Sequence, residues 1–278
     1  MGKEKGRGYF LVSAERETGL AIIVHKGIKL AYEERGTGKP AFVFVHGWAC
    51  NRSFFAPQAE YFSRRHRVVS IDLRGHGESD KPEGPYPIAV YADDIAYVIA
   101  QLGLGKVIAV GHSMGAIAVL QLAAAYPDRV AAIVMVEPVR SLTQQSEESR
   151  ARMAALVEAI ESGIQEPLRQ YVTERFFLPF SDRKLLEDVL AVMLAMPSHV
   201  AASGLRGIQD FDGSAVAALC KVPALHIGAT PPLNPPHLVA QLLPAVINGL
   251  TVGAGHFNQL EVPDQVNAMI EAFLQHYV

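Results

Sequence analysis

The sequence has 278 residues, half of them hydrophobic, which is long and apolar enough to bury a core and excludes a disordered chain. A net charge of −3 excludes a strongly basic nucleic-acid-binding protein, and no apolar run approaches the roughly 20 residues of a membrane span. The two cysteines, Cys50 and Cys220, form no CxxC pair and indicate free thiols in a reducing compartment. We therefore predict a cytoplasmic protein that binds neither nucleic acid nor membranes.

Short apolar runs alternate with helical patterns along most of the chain. The first two runs form a predicted hairpin (21–24 and 28–32), and the later ones indicate buried strands: 41–45, 68–71, 107–110, 131–136, 224–227 and a weaker 246–252. Helical spacing of apolar residues occurs at 54–62, 89–102, 114–126, 238–243 and 265–277. This alternation predicts an α/β fold with a mostly parallel sheet and helices on both faces.

One segment, 140–212, interrupts the alternation. It contains no strand pattern, and its predicted helices lie at 150–162, 164–177, 182–196 and 199–208. Inserted between two strands, such a segment is expected to form a helical lid over the carboxyl ends of the strands, where α/β proteins place their sites. The predicted organisation is therefore an N-terminal extension (1–20), a core (21–139 and 213–278) and the lid (140–212).

Two strand ends carry residues suited to acyl chemistry. The G-x-S-x-G segment 111–115 follows a strand and opens a helix, so a tight turn would expose the hydroxyl of Ser113. Met114 then supplies a backbone N–H at a helix N-terminus, suited to a developing oxyanion. His46-Gly47-Trp48 ends the first parallel strand, and the N–H of Trp48 is the natural second donor. Alternatively, Gly47 only permits a turn and the indole of Trp48 only packs.

A histidine on a glycine-flanked loop follows the last strand. His256, in the segment 253–257, is placed where it could reach back to Ser113. The chain has ten histidines, and His256 stands out by its position rather than by its type.

Together these motifs are similar to those of the α/β-hydrolase superfamily, in its lid-bearing serine esterase and lactonase branch. The matching segments occur in the family's order over roughly residues 20 to 278: 46–48, 72–80, 111–115 and 253–257. The resemblance implies that Ser113 is the nucleophile, that His256 is the general base, and that Trp48 and Met114 form the oxyanion hole. It implies no cofactor or metal, and it makes 72–80 a structural loop.

The sequence departs from this family at the catalytic acid. Most members place an aspartate in a G-x-x-D-x-x-x-P segment after the strand that is here 224–227, but Pro231 occupies that place between Gly228 and Pro235. No carboxylate occurs between Asp212 and Glu261, and Lys221 is the only charge from 213 to 260.

Glu137 is the best substitute for the missing acid. It follows the strand 131–136, next to the nucleophile strand, and resembles the relocated acid of haloalkane dehalogenases. A buried charge at a strand end is also costly unless it has a partner, which favours a functional role for this glutamate. The alternative is a salt bridge with Arg140 at the lid hinge. Asp210 and Asp212 are fallback acids, although both are better explained as N-caps of a helix at 213–219.

The leading hypothesis is a serine hydrolase that cleaves a small carboxylic ester or lactone through an acyl-enzyme, with a Ser-His-Glu triad. Apolar side chains would line the acyl pocket, unless they only pack within the lid: Trp48, Phe176, Phe177, Leu178, Met193 and Met196. Alternatives are a C–C bond hydrolase, a cofactor-free dioxygenase using a His-acid dyad, and a ligand receptor that retains the triad. Serine at 113 disfavours dehalogenation and epoxide opening. A homodimer is left open.

Overall fold

The structure is a computed structural model that describes residues 19–139, 146–163 and 165–278. Within these residues a single eight-stranded sheet is formed by β1 (Leu20–His25), β2 (Ile28–Arg35), β3 (Ala41–Val45), β4 (Val68–Ile71), β5 (Val107–His112), β6 (Val130–Val136), β7 (Ala224–Gly228) and β8 (Ile247–Leu250). The spatial order is β1-β2-β4-β3-β5-β6-β7-β8. The strands from β3 to β8 run parallel, whereas β1 and β2 are antiparallel. Of the predicted N-terminal extension, only Gly19 and Leu20 are described, and Leu20 already begins β1.

The burial of each strand explains its sequence pattern. The central strands β3 and β5 are buried at every position, because helices cover both faces, and they therefore read as continuous apolar runs. The edge strand β1 instead alternates between exposed and half-buried residues. Its hairpin with β2 turns at Lys26 and Gly27, which have φ angles of 50° and 80°, as a two-residue hairpin turn requires.

Helices cover both faces of the sheet, as predicted. Their bounds are α1 (Ala56–Phe62), α2 (Ile88–Gln101), α3 (Met114–Ala125), α4 (Glu147–Glu161), α5 (Glu166–Phe176), α6 (Arg183–Leu194), α7 (Ser198–Gln209), α8 (Gly213–Leu219), α9 (Pro236–Leu242), α10 (Asn258–Glu261) and α11 (Pro263–Tyr277). Helices α1 and α11 enclose one apolar core, which includes Phe44, Phe62 and Phe273. Helices α2 and α3 enclose the other core, which includes Ile95 and Ile117.

Helices α4 to α7 lie between β6 and β7 in the chain, in the segment predicted to be a lid. Their inward side chains, such as Val157, Leu185 and Leu205, join the core cluster of the α2–α3 face. Burial of these side chains fixes the insertion against the sheet layer. Among the described residues, no single helix is long and apolar enough to cross a membrane. Helices α6 and α7 meet those criteria only as a pair, and the pair is bent by 100°.

Candidate active site

Ser113 lies in a strained turn between β5 and α3. Its φ of 56° and ψ of −114° are unusual for a residue with a side chain, and its N–H donates to the carbonyl of Val136 at 3.0 Å. Both flanking glycines are required by close backbone approaches. A Cβ on Gly111 would lie 2.1 Å from the carbonyl oxygen of Gly115, and one on Gly115 would lie 2.2 Å from that of Val45. The G-x-S-x-G pattern therefore reflects the packing of this turn.

His256 is held from two sides and meets the hydroxyl of Ser113. Its backbone N–H donates to the carbonyl of Phe176 in the insertion at 2.8 Å, and its carbonyl accepts from Nε2–H of His112 at 2.9 Å. The ring of Phe176 lies 4.3 Å from the His256 ring, centroid to centroid. These contacts place Nε2 of His256 3.0 Å from Oγ of Ser113, within hydrogen-bond reach.

Glu137 lies on the opposite side of the His256 ring. Its Oε2 is 3.3 Å from Nδ1 of His256, and its Oε1 accepts the N–H of Ala229 at 2.6 Å. The side chain is 1% exposed. The N–H of Glu137 donates to the carbonyl of Ile227 at 2.8 Å, which fixes the backbone of Glu137 against β7. The loop after β7, which lacks an acid of its own, thus holds the carboxylate of Glu137 by a backbone N–H.

The other predicted acids lie elsewhere. Asp212 is exposed and caps α8 by accepting from the N–H groups of Ser214 and Ala215, at 3.1 and 3.0 Å. Asp210 is exposed at the end of α7. The alternative pairing of Glu137 with Arg140 falls outside the described residues.

The protonation pattern follows from this geometry. Burial lowers the pKa of His256 to about 3, so the imidazole is neutral at neutral pH. A carboxylate accepts hydrogen bonds, so Nδ1 of His256 carries the proton that faces Glu137. The lone pair of Nε2 therefore faces the hydroxyl of Ser113, which is the arrangement of a general base.

Gly47 and Met114 lie on either side of Ser113. Met114 is the first residue of α3, where an N–H has no partner within the helix. Gly47 approaches from the other side, since a Cβ added to it would lie 3.1 Å from Cβ of Ser113. Within the described part of the chain, the N–H groups of Met114 and Trp48 have no protein acceptor. The indole of Trp48 donates to the carbonyl of Ala201 on α7 at 2.9 Å, so its ring packs against the insertion.

A cavity of about 700 Å³, part of it open to solvent, contains Ser113 and His256. The insertion supplies much of its wall, through Met153, Tyr171, Phe176, Met193, Leu205 and Ile208. Of the predicted pocket residues, Trp48, Phe176 and Met193 line this cavity.

The other predicted pocket residues do not line it. The ring of Phe177 packs on that of Phe257 at 5.5 Å, and Met196 lines a separate small cavity within the insertion. Leu178 lies in a turn closed by Ser181. Sequence reasoning missed Met153 and Tyr171, because helical spacing shows that a residue faces inward but not which neighbour it meets.

The chain belongs to the alpha/beta hydrolase fold family, whose model matches residues 40–263. It is 44% identical to a 2-(acetamidomethylene)succinate hydrolase from Mesorhizobium japonicum, over 40% of this chain and 39% of that protein. It is 25% identical to 3-oxoadipate enol-lactonase 2 from Acinetobacter baylyi, over 86% of this chain and 90% of that protein. A thermophilic esterase from Thermogutta terrifontis superposes with a TM-score of 0.81 at 25% identity, covering 92% of this chain and 98% of the esterase.

Proposed function

We propose that this protein hydrolyses small carboxylic esters or lactones through an acyl-enzyme, with Ser113, His256 and Glu137 as its triad. One observation carries the proposal: Oγ of Ser113, both ring nitrogens of His256 and a carboxylate oxygen of Glu137 form a continuous chain, with separations of 3.0 and 3.3 Å. This is the chain of nucleophile, base and orienting acid that acyl transfer uses. The named esterase and enol-lactonase relatives support the same bond class.

Acylation begins when Oγ of Ser113 attacks the substrate carbonyl carbon. Nε2 of His256 accepts the hydroxyl proton, and the resulting imidazolium is stabilised by Glu137. The carbonyl oxygen becomes an oxyanion, which the N–H groups of Trp48 and Met114 stabilise. The tetrahedral intermediate then expels the alkoxide, which takes the proton from Nε2 and leaves as an alcohol. In a lactone this alcohol stays attached to the acyl group.

Deacylation repeats these steps with water. Nε2 of His256 takes a proton from a water molecule as the water oxygen attacks the acyl carbon. The second tetrahedral intermediate collapses, and Oγ of Ser113 leaves with the proton held by His256. The products are a carboxylic acid and the free enzyme.

The cavity wall supports a substrate with an uncharged acyl group. None of its described lining residues is a lysine or an arginine, and most of those that the insertion supplies are apolar. A dicarboxylate such as a succinate derivative, which the Mesorhizobium relative is named for, would leave a carboxylate facing apolar walls. We therefore expect ethyl butyrate to be a better substrate than monoethyl succinate, which differs from it by one carboxylate.

Replacing the nucleophile tests the proposal. Ser113→Ala should abolish turnover of p-nitrophenyl butyrate and covalent labelling by a fluorophosphonate, because no other residue carries the acyl group. Ser149→Ala is the matched control. Ser149 lines the same cavity, and its replacement leaves the hydroxyl of Ser113 in place beside His256. Turnover by Ser113→Ala at the wild-type rate would overturn the proposal. A preference for monoethyl succinate would overturn the substrate assignment alone.

A further inference from the structure

His46, the residue before Gly47, makes a hydrogen-bond pattern that fixes its tautomer. The N–H of Leu73 donates to Nε2 of His46 at 3.0 Å, so Nε2 is an acceptor. The proton therefore sits on Nδ1, which donates to the carbonyl of Gly47 at 2.8 Å. The ring is 1% exposed, and burial lowers the pKa of His46 to about 4. The imidazole consequently remains neutral, with one donor and one acceptor, at neutral pH.

The same carbonyl accepts a second hydrogen bond, from the N–H of Cys50 at 3.2 Å. The peptide bond between Gly47 and Trp48 is trans, since the cis bonds of the described chain are Lys39–Pro40 and Thr230–Pro231. In a planar trans peptide the C=O and the following N–H point in opposite directions. Two donors on the Gly47 carbonyl therefore fix the direction of the Trp48 N–H as well.

This peptide needs to be held, because glycine at 47 leaves it free to rotate. A side chain at 47 would crowd the site, where a Cβ would lie 3.0 Å from Nδ1 of His112 and 3.1 Å from Cβ of Ser113. The position beside Ser113 thus requires glycine, whose backbone is the least constrained. Contacts from other residues must therefore fix the conformation of the backbone at Gly47.

We infer that His46 is a positioning residue, which holds the Gly47–Trp48 peptide so that the Trp48 N–H faces the oxyanion formed at Ser113. The inference rests on the proposed acyl transfer. Loss of one oxyanion donor costs about 10²–10³-fold in kcat. Loss of the residue that only orients the donor should lower kcat by less, about 10- to 100-fold. KM should be nearly unchanged, because the hydrogen bond strengthens only when the oxyanion forms.

Three variants separate this role from a merely structural one. His46→Ala removes the contact, and His46→Asn keeps a side-chain N–H that can donate to the Gly47 carbonyl. His76→Ala is the matched control: His76 is equally buried, its ring lies 5.0 Å from that of His46, and its Nδ1 contacts the carbonyl of Arg74 instead. Thermal denaturation of each variant measures the stability cost.

The readouts are kcat and KM for p-nitrophenyl butyrate, and the inhibition constant of a trifluoromethyl ketone, whose adduct with Ser113 carries an oxyanion. We expect His46→Ala to lower kcat and the affinity for the ketone by a similar factor. His46→Asn should recover most of the kcat and most of the affinity. His76→Ala should change the thermal stability alone. Equal losses of kcat in His46→Ala and His76→Ala, or unchanged ketone affinity in His46→Ala, would overturn the inference. If wild-type protein neither hydrolyses the ester nor binds the ketone, the proposed function itself fails and this role of His46 fails with it.

Discussion

At the residue scale, Glu137 reaches His256 because of strand register. His112 of β5 pairs with Val136 of β6 in the parallel ladder, so the next residues, Ser113 and Glu137, leave the sheet side by side. Glu137 then adopts a φ of 43°, a rare left-handed conformation for a side-chain-bearing residue. The sequence alone predicts that Ser113 and Glu137 are neighbours, because parallel strands end at the same edge of a sheet. It does not predict the Ala229 N–H that holds the carboxylate.

The buried imidazole of His256 predicts an acid-shifted pH dependence of catalysis. Burial lowers its pKa below the ordinary value of 6.5, and in the proposed mechanism His256 accepts a proton only when it is neutral. The acid limb of kcat/KM for an uncharged ester should therefore have its midpoint below 6.5, so that activity persists into mildly acidic solution. Glu137→Gln should move the midpoint lower still, because the carboxylate favours the imidazolium.

A steady-state pH profile on p-nitrophenyl butyrate measures this midpoint, with His199→Gln as the control. His199 lies on α7, is exposed and is not part of the cavity wall, so its replacement should leave the profile unchanged. A midpoint at or above 6.5 in the wild-type protein would contradict the burial argument.

At the element scale, the turn between α5 and α6 supports the loop of His256. Oγ of Ser181 lies 2.5 Å from Oε2 of Glu261, whose Oε1 accepts the N–H of Gly255 at 2.8 Å. Phe176 also contacts His256, so the insertion supports the loop of His256 as well as forming part of the cavity wall. Pattern reasoning could not find this bridge, because it joins residues 80 positions apart.

Breaking the bridge should cost both stability and rate. Burial raises the pKa of Glu261, so its carboxylate depends on the donors that it has. Ser181→Ala removes one of them, and we expect a loss of about 2 kcal/mol in the free energy of unfolding, together with a lower kcat. Thr173→Ala is the control, since its hydroxyl bonds only within α5, to the carbonyl of Arg169. Wild-type stability and kcat in Ser181→Ala would show that the bridge contributes nothing.

Most elements follow from the sequence because local signals mark them. Asp182 and Asp212 cap α6 and α8 through backbone N–H groups, and such caps are visible before the structure is known. Short elements are harder to predict from the sequence. The four-residue helix α10 is too short for a periodic pattern. Strand β8 covers only Ile247–Leu250 of the predicted 246–252, because the N–H groups of Val246 and Val252 donate outside the sheet, to the carbonyl of Leu243 and to Oε1 of Gln265.

At the scale of the whole molecule, buried histidines predict that acid destabilises the fold. Burial lowers the pKa of five histidines below the ordinary 6.5: His46, His76, His112, His226 and His256. Below pH 6.5 the unfolded chain therefore binds protons at these positions more strongly than the folded chain does. The free energy of unfolding is therefore highest above pH 6.5 and decreases as the pH falls, by at most roughly 1 kcal/mol per pH unit for each histidine.

Urea denaturation at neutral pH and at about pH 5 measures the slope. His226→Gln should make the slope shallower, because burial lowers the pKa of His226, and its ring contacts Asn248 away from the cavity wall. A free energy of unfolding that stays constant or rises as the pH falls from 7 to 5 would contradict the prediction.

In the proposed mechanism the triad acid is Glu137 and not a residue of the loop after β7. The most direct measurement is the kcat of Glu137→Gln for p-nitrophenyl butyrate. Glutamine keeps the size of the side chain and an oxygen for the Ala229 N–H, but it removes the charge that stabilises the imidazolium. We expect kcat to fall by about 10²- to 10⁴-fold with an unchanged thermal midpoint, on the scale of amide-for-acid replacement in a Ser-His-Asp triad. Wild-type turnover by Glu137→Gln would contradict it.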